Sequence, residues 1–118
     1  MQEPLEAYCH VGIVHPMAFP EASAEDGSLL ETITQIAVDP FFSAIEVGHI
    51  EDAGVRAEVA KVLETAGMEV VFAAQPTLLQ GKLSLCALDE ADKKRALENG
   101  KRLIDEAYEL GAAIMAVQ

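Results

Sequence analysis

The stretch Ala112-Ala113-Ile114-Met115-Ala116-Val117-Gln118 decides the fold, because it is the last of four apolar runs that alternate with helical patterns. Short apolar strands that alternate with amphipathic helices are typical of a parallel α/β sheet. We therefore predict three βα units and a fourth strand. Crossover helices should bury such strands on both faces. The arrangement is expected to be a segment of a larger barrel, a half-barrel of four strands.

The bounds of the other elements are predicted from prolines, helix-capping residues and a glycine. The earlier strands are predicted over residues 8–15, 41–50 and 68–75, and the first and third of them close on a proline. The stretch Ser28-Leu29-Leu30-Glu31 has the pattern of a capping box, and Asp52 and Asp89 are predicted to cap the next two helices. Gly67 should end the second of these three helices.

Two segments of the chain are unusually apolar for their predicted positions. Residues 77–88 form a long, leucine-rich connection, which is expected to be a lid over the site, a cover for the core or a partner surface. The longest helix is predicted to pack through one apolar stripe, made of Leu97, Leu103, Ile104, Ala107 and Tyr108.

Composition predicts one domain over residues 1–118, with residues 1–8 as a flexible tail. A hydrophobic fraction of 51% predicts a packed core, and a formal charge of −12 disfavours nucleic acid and anionic membranes as partners. Two distant cysteines and an acidic amino terminus without an apolar core predict a cytoplasmic protein without disulfides or a signal peptide. A glycine-rich phosphate loop is absent from the sequence, so nucleotide binding has no support.

Polar residues at the carboxyl ends of the predicted strands are the candidate site, because ligands of parallel α/β folds bind there. The substrate-binding candidates are His15, Glu46, His49, Gln75 and Gln118. Glu46 stands out, since a carboxylate inside a buried strand needs a partner to offset its desolvation. Each candidate also has a structural alternative: an ion pair for Glu46, a hydrogen-bonded rim residue for each histidine, and a simple strand end for each glutamine. No catalytic residue or metal ligand is assigned.

The chain resembles the sugar phosphate isomerase/epimerase family of xylose isomerase-like TIM barrels. The likeness rests on Val11-Gly12-Ile13, Phe42-Ser43-Ala44-Ile45-Glu46-Val47, Gln75-Pro76 and the stretch from Ile104 to Ala112. The resemblance implies an eight-stranded barrel with a divalent metal (manganese, magnesium or zinc) that moves a proton next to a sugar carbonyl. It also implies that the metal ligands come mostly from strands five to eight. This chain alone is therefore not expected to bind the metal.

Two functions remain open at this point. In the first, the chain is the amino-terminal half of a metal-dependent sugar or sugar phosphate isomerase or epimerase, truncated or complete, and supplies the substrate-side wall of the pocket. In the second, it is a non-catalytic half-barrel that forms a homodimer or pairs with a complementing chain. A free-standing doubly wound sheet is the alternative fold, and the order of the strands distinguishes it from a barrel segment.

Overall fold

The computed structural model describes residues 3–117 and confirms a mixed α/β fold. The strands are β1 (Gly12–Val14), β2 (Ala44–Val47), β3 (Glu69–Ala73) and β4 (Ile114–Ala116). The helices are α1 (His15–Ala18), α2 (Ser28–Val38), α3 (Ala53–Ala66), α4 (Gln75–Gln80) and α5 (Glu90–Glu109), and Leu5–Ala7 form an exposed 3-10 turn. All four strands are shorter than predicted, and the short helices α1 and α4 are additional to the predicted elements.

Within residues 3–117, the four strands form one parallel sheet in the order β1-β2-β3-β4. Each strand therefore lies beside its predecessor, and helix α2 packs on α3 and α3 on α5. A doubly wound sheet reverses its strand order and places helices on both faces. Such a reversal is not seen in the described strands. The arrangement is compatible with part of a repeating βα structure.

The core lies between the sheet and the layer of long helices. The side chains that the sheet turns toward these helices form two cross-strand rows: Ile13, Ile45 and Val70, and then Val47, Phe72 and Met115. A row on the opposite face contains Val14, Glu46, Val71 and Ile114. These residues are half-buried or exposed, and Ile114 is 59% exposed. The prediction of strands buried on both faces is therefore wrong in the described structure, because the long helices cover only one face.

Local end signals explain where the long helices begin and end. The Asp52 carboxylate accepts a hydrogen bond from the Val55 N–H at 2.9 Å, and Asp89 accepts one from the Asp92 N–H at 3.0 Å, so both predicted caps are confirmed. Gly67 ends α3 with φ = 68°, a left-handed conformation that glycine adopts without a Cβ clash.

The predicted capping box at the start of α2 is wrong. Gly27 is the N-cap, with φ = 79°, and Ser28 is already the first helical residue. The Ser28 hydroxyl oxygen accepts from the Ser23 N–H at 2.9 Å and donates to the Asp26 carboxylate. The hydrogen bonds of Ser28 therefore stabilise the preceding loop, and its side chain does not cap α2.

Helix α5 faces the core through a different stripe from the predicted one. Leu103 and Ala107 are buried as expected, but Leu97, Ile104 and Tyr108 are 50%, 46% and 80% exposed. The buried stripe instead adds Ala96, Leu110 and one acidic residue, Glu106. A charged group on the core side of a helix needs a specific partner.

The leucine-rich connection contributes to the core through two of its leucines. Leu78 on α4 is buried and Leu83 packs against the core, while Leu79 and Leu88 are 65% and 99% exposed. The segment thus covers part of the core and leaves an apolar outer surface. No helix within residues 3–117 combines the length and the apolar composition needed to cross a bilayer.

Candidate functional site

The carboxyl ends of β1, β2 and β3 lie at one edge of the sheet because the strands are parallel. There the chain enters α1 after β1, a short loop of residues 48–52 after β2, and α4 after β3. Between these segments lies a cleft of about 240 Å³, which we call the carboxyl-edge cleft. It is lined mainly by apolar groups, with four polar side chains among them, His15, His49, Thr77 and Gln80.

His15 is a buried, neutral histidine in the wall of this cleft. It is 2% exposed, begins α1 rather than ending β1, and stacks on the Phe19 ring with the centroids 5.6 Å apart. Its Nε2 lies 2.8 Å from Thr32 Oγ1, and the Thr32 hydroxyl donates to the Ser28 carbonyl at 2.7 Å. The threonine oxygen therefore accepts from His15 Nε2–H. Burial lowers the pKa of His15, so the imidazole is neutral and Nδ1 carries its lone pair.

His49 is held from both sides by carboxylates. Its Nδ1 lies 2.6 Å from Glu106 Oε2 and its Nε2 lies 2.9 Å from Glu51 Oε2. Both nitrogens donate at once only in the imidazolium form. Burial by itself would lower the pKa of His49, but the hydrogen bonds to Glu51 and Glu106 and their negative charges outweigh it, so the pKa is raised. The environment of His15 thus favours its neutral form, and the two carboxylates beside His49 favour its imidazolium form.

Glu106 positions His49 and the whole loop after β2. Its second oxygen, Oε1, accepts from the Ile50 backbone N–H at 2.7 Å. Arg56 on α3 donates to the Ile50 carbonyl at 2.7 Å and forms an ion pair with Glu109 on α5. The side chain of Glu106 is 7% exposed, so the carboxylate that orients the imidazole is largely shielded from water. This pairing of a buried carboxylate with a histidine restricts the ring to one orientation.

Sequence reasoning did not select Glu106, although a signal for it was present. Helical spacing places position 106 on the same face as Leu103, Ala107 and Leu110, all of which are buried. An acid in such an apolar stripe indicates a buried polar contact. Its partner, His49, lies 57 positions earlier in the chain, so the sequence could indicate the contact but not its partner.

Of the five predicted site residues, His15 and His49 line the carboxyl-edge cleft. The remaining three are Gln75, Glu46 and Gln118. Gln75 is half-buried and is the first residue of α4, so its prediction as a strand end is wrong. Gln118 lies outside the described residues.

Glu46 is half-buried on the open face of the sheet, between its register neighbours Val14 and Val71. Its carboxylate forms no hydrogen bond or ion pair within residues 3–117, and it lies on the face of the sheet that the long helices do not cover. Glu46 is therefore less buried than predicted, and its role in substrate binding stays a prediction. The carboxyl-edge cleft is not lined by Glu46.

A second, polar cleft lies on the α5 side of His49 and has a volume of about 390 Å³. We call it the polar cleft. His49 and Thr77 belong to the walls of both clefts, so the imidazole stands between them. Charged side chains of the loop after β2, of α3 and of α5 form most of the remaining wall: Glu51, Arg56, Arg102, Asp105, Glu106 and Glu109.

The divalent metal implied by the family resemblance does not fit the side chains present. Within residues 3–117, no three His, Cys, Asp or Glu side chains converge in an arrangement that could hold a metal ion. His49 lies close to two carboxylates, but both of its nitrogens donate to them, and a metal ligand needs a free lone pair. We therefore derive no chemical step through a metal ion.

No family model matches the chain, and no curated protein is significantly similar to it in sequence.

Proposed function

We propose that the chain is the amino-terminal half of a sugar isomerase or epimerase-like barrel and supplies the substrate-side wall of its pocket. The strand order supports this proposal, because consecutive parallel strands with their helices in one layer are how a (βα)8 barrel begins. The position of the cleft supports it as well, since ligands of such barrels bind at the carboxyl ends of the strands.

The observation that carries the proposal is the presence of two histidines with different partners in one cleft: His15 contacts a threonine hydroxyl and His49 contacts two carboxylates. His49, oriented by Glu106, is a proton donor, and neutral His15 offers a lone pair at Nδ1 for a hydroxyl group. Different environments that separate the pKa values of two titratable groups are typical of acid-base sites. A cleft that also contains Thr77 and Gln80 over an apolar floor suits a small polyhydroxylated ligand.

In the proposed chemistry, His49 acts on a sugar carbonyl. As a proton passes from the carbon next to the carbonyl to the lone pair of His15 Nδ1, His49 Nε2–H, released from Glu51, protonates the carbonyl oxygen, which gives an enediol. Return of a proton to either carbon, with loss of one from the adjacent hydroxyl, yields the isomer or the epimer and restores the imidazolium. Glu106 stabilises the cation before transfer and fixes the direction of Nε2.

The test is a titration with neutral sugars, followed through the histidine ring signals. We expect an aldose and a ketose panel to shift the His15 and His49 resonances in long-range ¹H–¹⁵N spectra. His49→Gln should abolish deuterium uptake from D₂O at the carbon next to the carbonyl. His10→Gln is the matched control, because His10 is exposed and precedes β1 at the opposite edge of the sheet. Absence of both shifts and deuterium uptake across the panel would overturn the proposal.

The second candidate function, self-association as a non-catalytic half-barrel, is favoured by the open face and edge of the sheet. Strand β4 is an edge strand in the described sheet, and Ile114 and Val117 are 59% and 47% exposed there. Exposed apolar edge strands readily pair with another chain. Sedimentation velocity at micromolar concentration tests this function. A dimer that Ile114→Lys dissociates supports it, and a folded monomer at every concentration refutes it.

A further inference from the structure

The polar cleft contains one carboxylate that is held far more loosely than the others. Glu51 reaches His49 Nε2 at 2.9 Å, yet its side chain is 88% exposed and it forms no other hydrogen bond with residues 3–117. By contrast, the side chain of Glu106 is 7% exposed and accepts two hydrogen bonds. An exposed ion pair of this kind is weak and easily replaced.

Three cationic groups line the polar cleft together with Glu51: His49, Arg56 and Arg102. His49 donates to Glu51 directly, and its hydrogen bond and charge lower the pKa of Glu51, with smaller contributions from the positive charges of Arg102 and Arg56. Arg56 is already paired with Glu109 and with the Ile50 carbonyl. Arg102 makes no hydrogen bond or ion pair within the described part of the chain, so its guanidinium is available.

The charge balance of the polar cleft allows an anion from solution to take the place of Glu51. Without Glu51, the three cationic groups, His49, Arg56 and Arg102, face three carboxylates. These carboxylates are Asp105, Glu106 and Glu109. An incoming singly charged anion therefore restores the charge that the cleft has with Glu51 in place. Guanidinium and imidazolium groups form charge-assisted hydrogen bonds with carboxylate and phosphate oxygens, which are stronger than those between neutral groups.

We infer that Glu51 is an internal, displaceable occupant of an anion-binding subsite, whose donors are His49 Nε2–H and the Arg102 guanidinium. The ligand is a small carboxylate or phosphate group, which binds where the Glu51 carboxylate now lies. Glu51 competes with it from within the chain and lowers its apparent affinity. This inference goes beyond the proposed sugar chemistry and does not depend on it, because the anion needs no sugar attached. A sugar carbonyl and the anion would compete for the same His49 Nε2–H.

The experiment uses inorganic phosphate and acetate as probes, titrated separately into the ¹⁵N-labelled chain at constant ionic strength and pH 6.5. Shifts of the His49 ring nitrogens report binding. Glu51→Gln removes the competitor, and we expect it to raise the affinity about tenfold if Glu51 occupies the subsite about nine-tenths of the time. Arg102→Gln should abolish most of the binding and should leave the Glu106 contact of His49 in place.

Glu58→Gln is the matched control for net charge, because Glu58 is exposed on α3 and its side chain forms no hydrogen bond or ion pair within residues 3–117. A higher anion affinity in Glu51→Gln, without a similar increase in Glu58→Gln, supports the inference. Equal affinities in these two variants overturn it, and so does the absence of His49 shifts with both anions. Binding of phosphate alone or of acetate alone supports the subsite and identifies its ligand chemistry. Sugar titrations that fail while anions bind would refute the proposed function and leave this inference standing.

Discussion

Replacement of Glu106 by glutamine is the most informative perturbation, because this residue connects α5 to the loop after β2. Glutamine keeps the volume but has one acceptor oxygen in place of two and carries no charge. The wild-type carboxylate accepts from His49 Nδ1–H at 2.6 Å and from the Ile50 N–H at 2.7 Å. The variant therefore loses one of these hydrogen bonds and the charge that stabilises the imidazolium.

The expected loss of stability is about 2 kcal/mol. A hydrogen bond to a charged group contributes about 1.5–3 kcal/mol. Breaking a fully buried ion pair costs about 3–5 kcal/mol, but the side chain of His49 is 27% exposed, so water compensates part of the remaining charge. Against a total stability of about 5–15 kcal/mol, this loss should lower the urea midpoint by about 1 M for a typical denaturant slope.

The loss of stability in Glu106→Gln should also depend on pH. The direction of the pKa shift of His49 determines whether this loss is larger at low or at high pH. Glu51 and Glu106 raise this pKa above its ordinary value of 6.5 despite the opposing effect of burial. A raised pKa contributes stability that is fully present below 6.5 and is lost as pH rises through the folded-state value. The difference between wild type and Glu106→Gln should therefore be larger at pH 6 than at pH 9.

Urea unfolding at pH 6 and pH 9, followed by circular dichroism, measures the loss of stability and its dependence on pH. Glu98→Gln is the control on the same helix, since Glu98 is exposed and has no ion pair within residues 3–117. It should leave the urea midpoint unchanged. A loss below about 0.5 kcal/mol for Glu106→Gln, the range of ordinary surface substitutions, would refute the reasoning, and so would a loss of equal size at both pH values.

Three further predictions concern single residues. Asp52→Ala removes the cap of α3 and should lower the free energy of unfolding by about 1 kcal/mol in urea titrations. Asp52→Asn should have a free energy of unfolding close to that of the wild type, because asparagine also caps helices. Gly67→Ala places a Cβ on a residue with φ = 68° and should cost about 1 kcal/mol, seen as a lower Tm; an unchanged Tm would contradict the left-handed end of α3. Burial lowers the pKa of His15, so its contribution to stability is lost as pH falls below 6.5. The stability gap between wild type and His15→Gln should therefore narrow from pH 7 to pH 5, and a widening gap would show that His15 is charged in the fold.

Much of the fold could be predicted because its signals are local. Asp52, Asp89 and Gly67 act within one helical turn, so their roles follow from the residues beside them. Strand positions were predictable to within a few residues for the same reason. The short helices α1 and α4 were missed, because a proline near a strand end is compatible both with a loop and with the first turn of a helix.

The candidate site was predictable only in part. The rule that ligands bind at the carboxyl ends of parallel strands selected His15 and His49, which do share a cleft. The same rule selected Glu46, whose side chain lies on the face that the long helices leave open. The alternation along β2 separates Glu46 from Ile45 and Val47, but it does not say which face the helices cover.

By itself, the sequence determined the order of the elements, the ends of the long helices and the two histidines at the edge of the sheet, because short-range sterics and hydrogen bonds control these features. The tertiary structure alone decided that α5 presents Glu106 to His49, 57 positions away, and that Glu51 and Arg102 meet in one cleft. Electrostatic contacts of this kind depend on how helices pack against the sheet, which no local pattern contains. The protonation states of His15 and His49 follow from that packing, since burial acts alone on the first and two carboxylates outweigh it on the second.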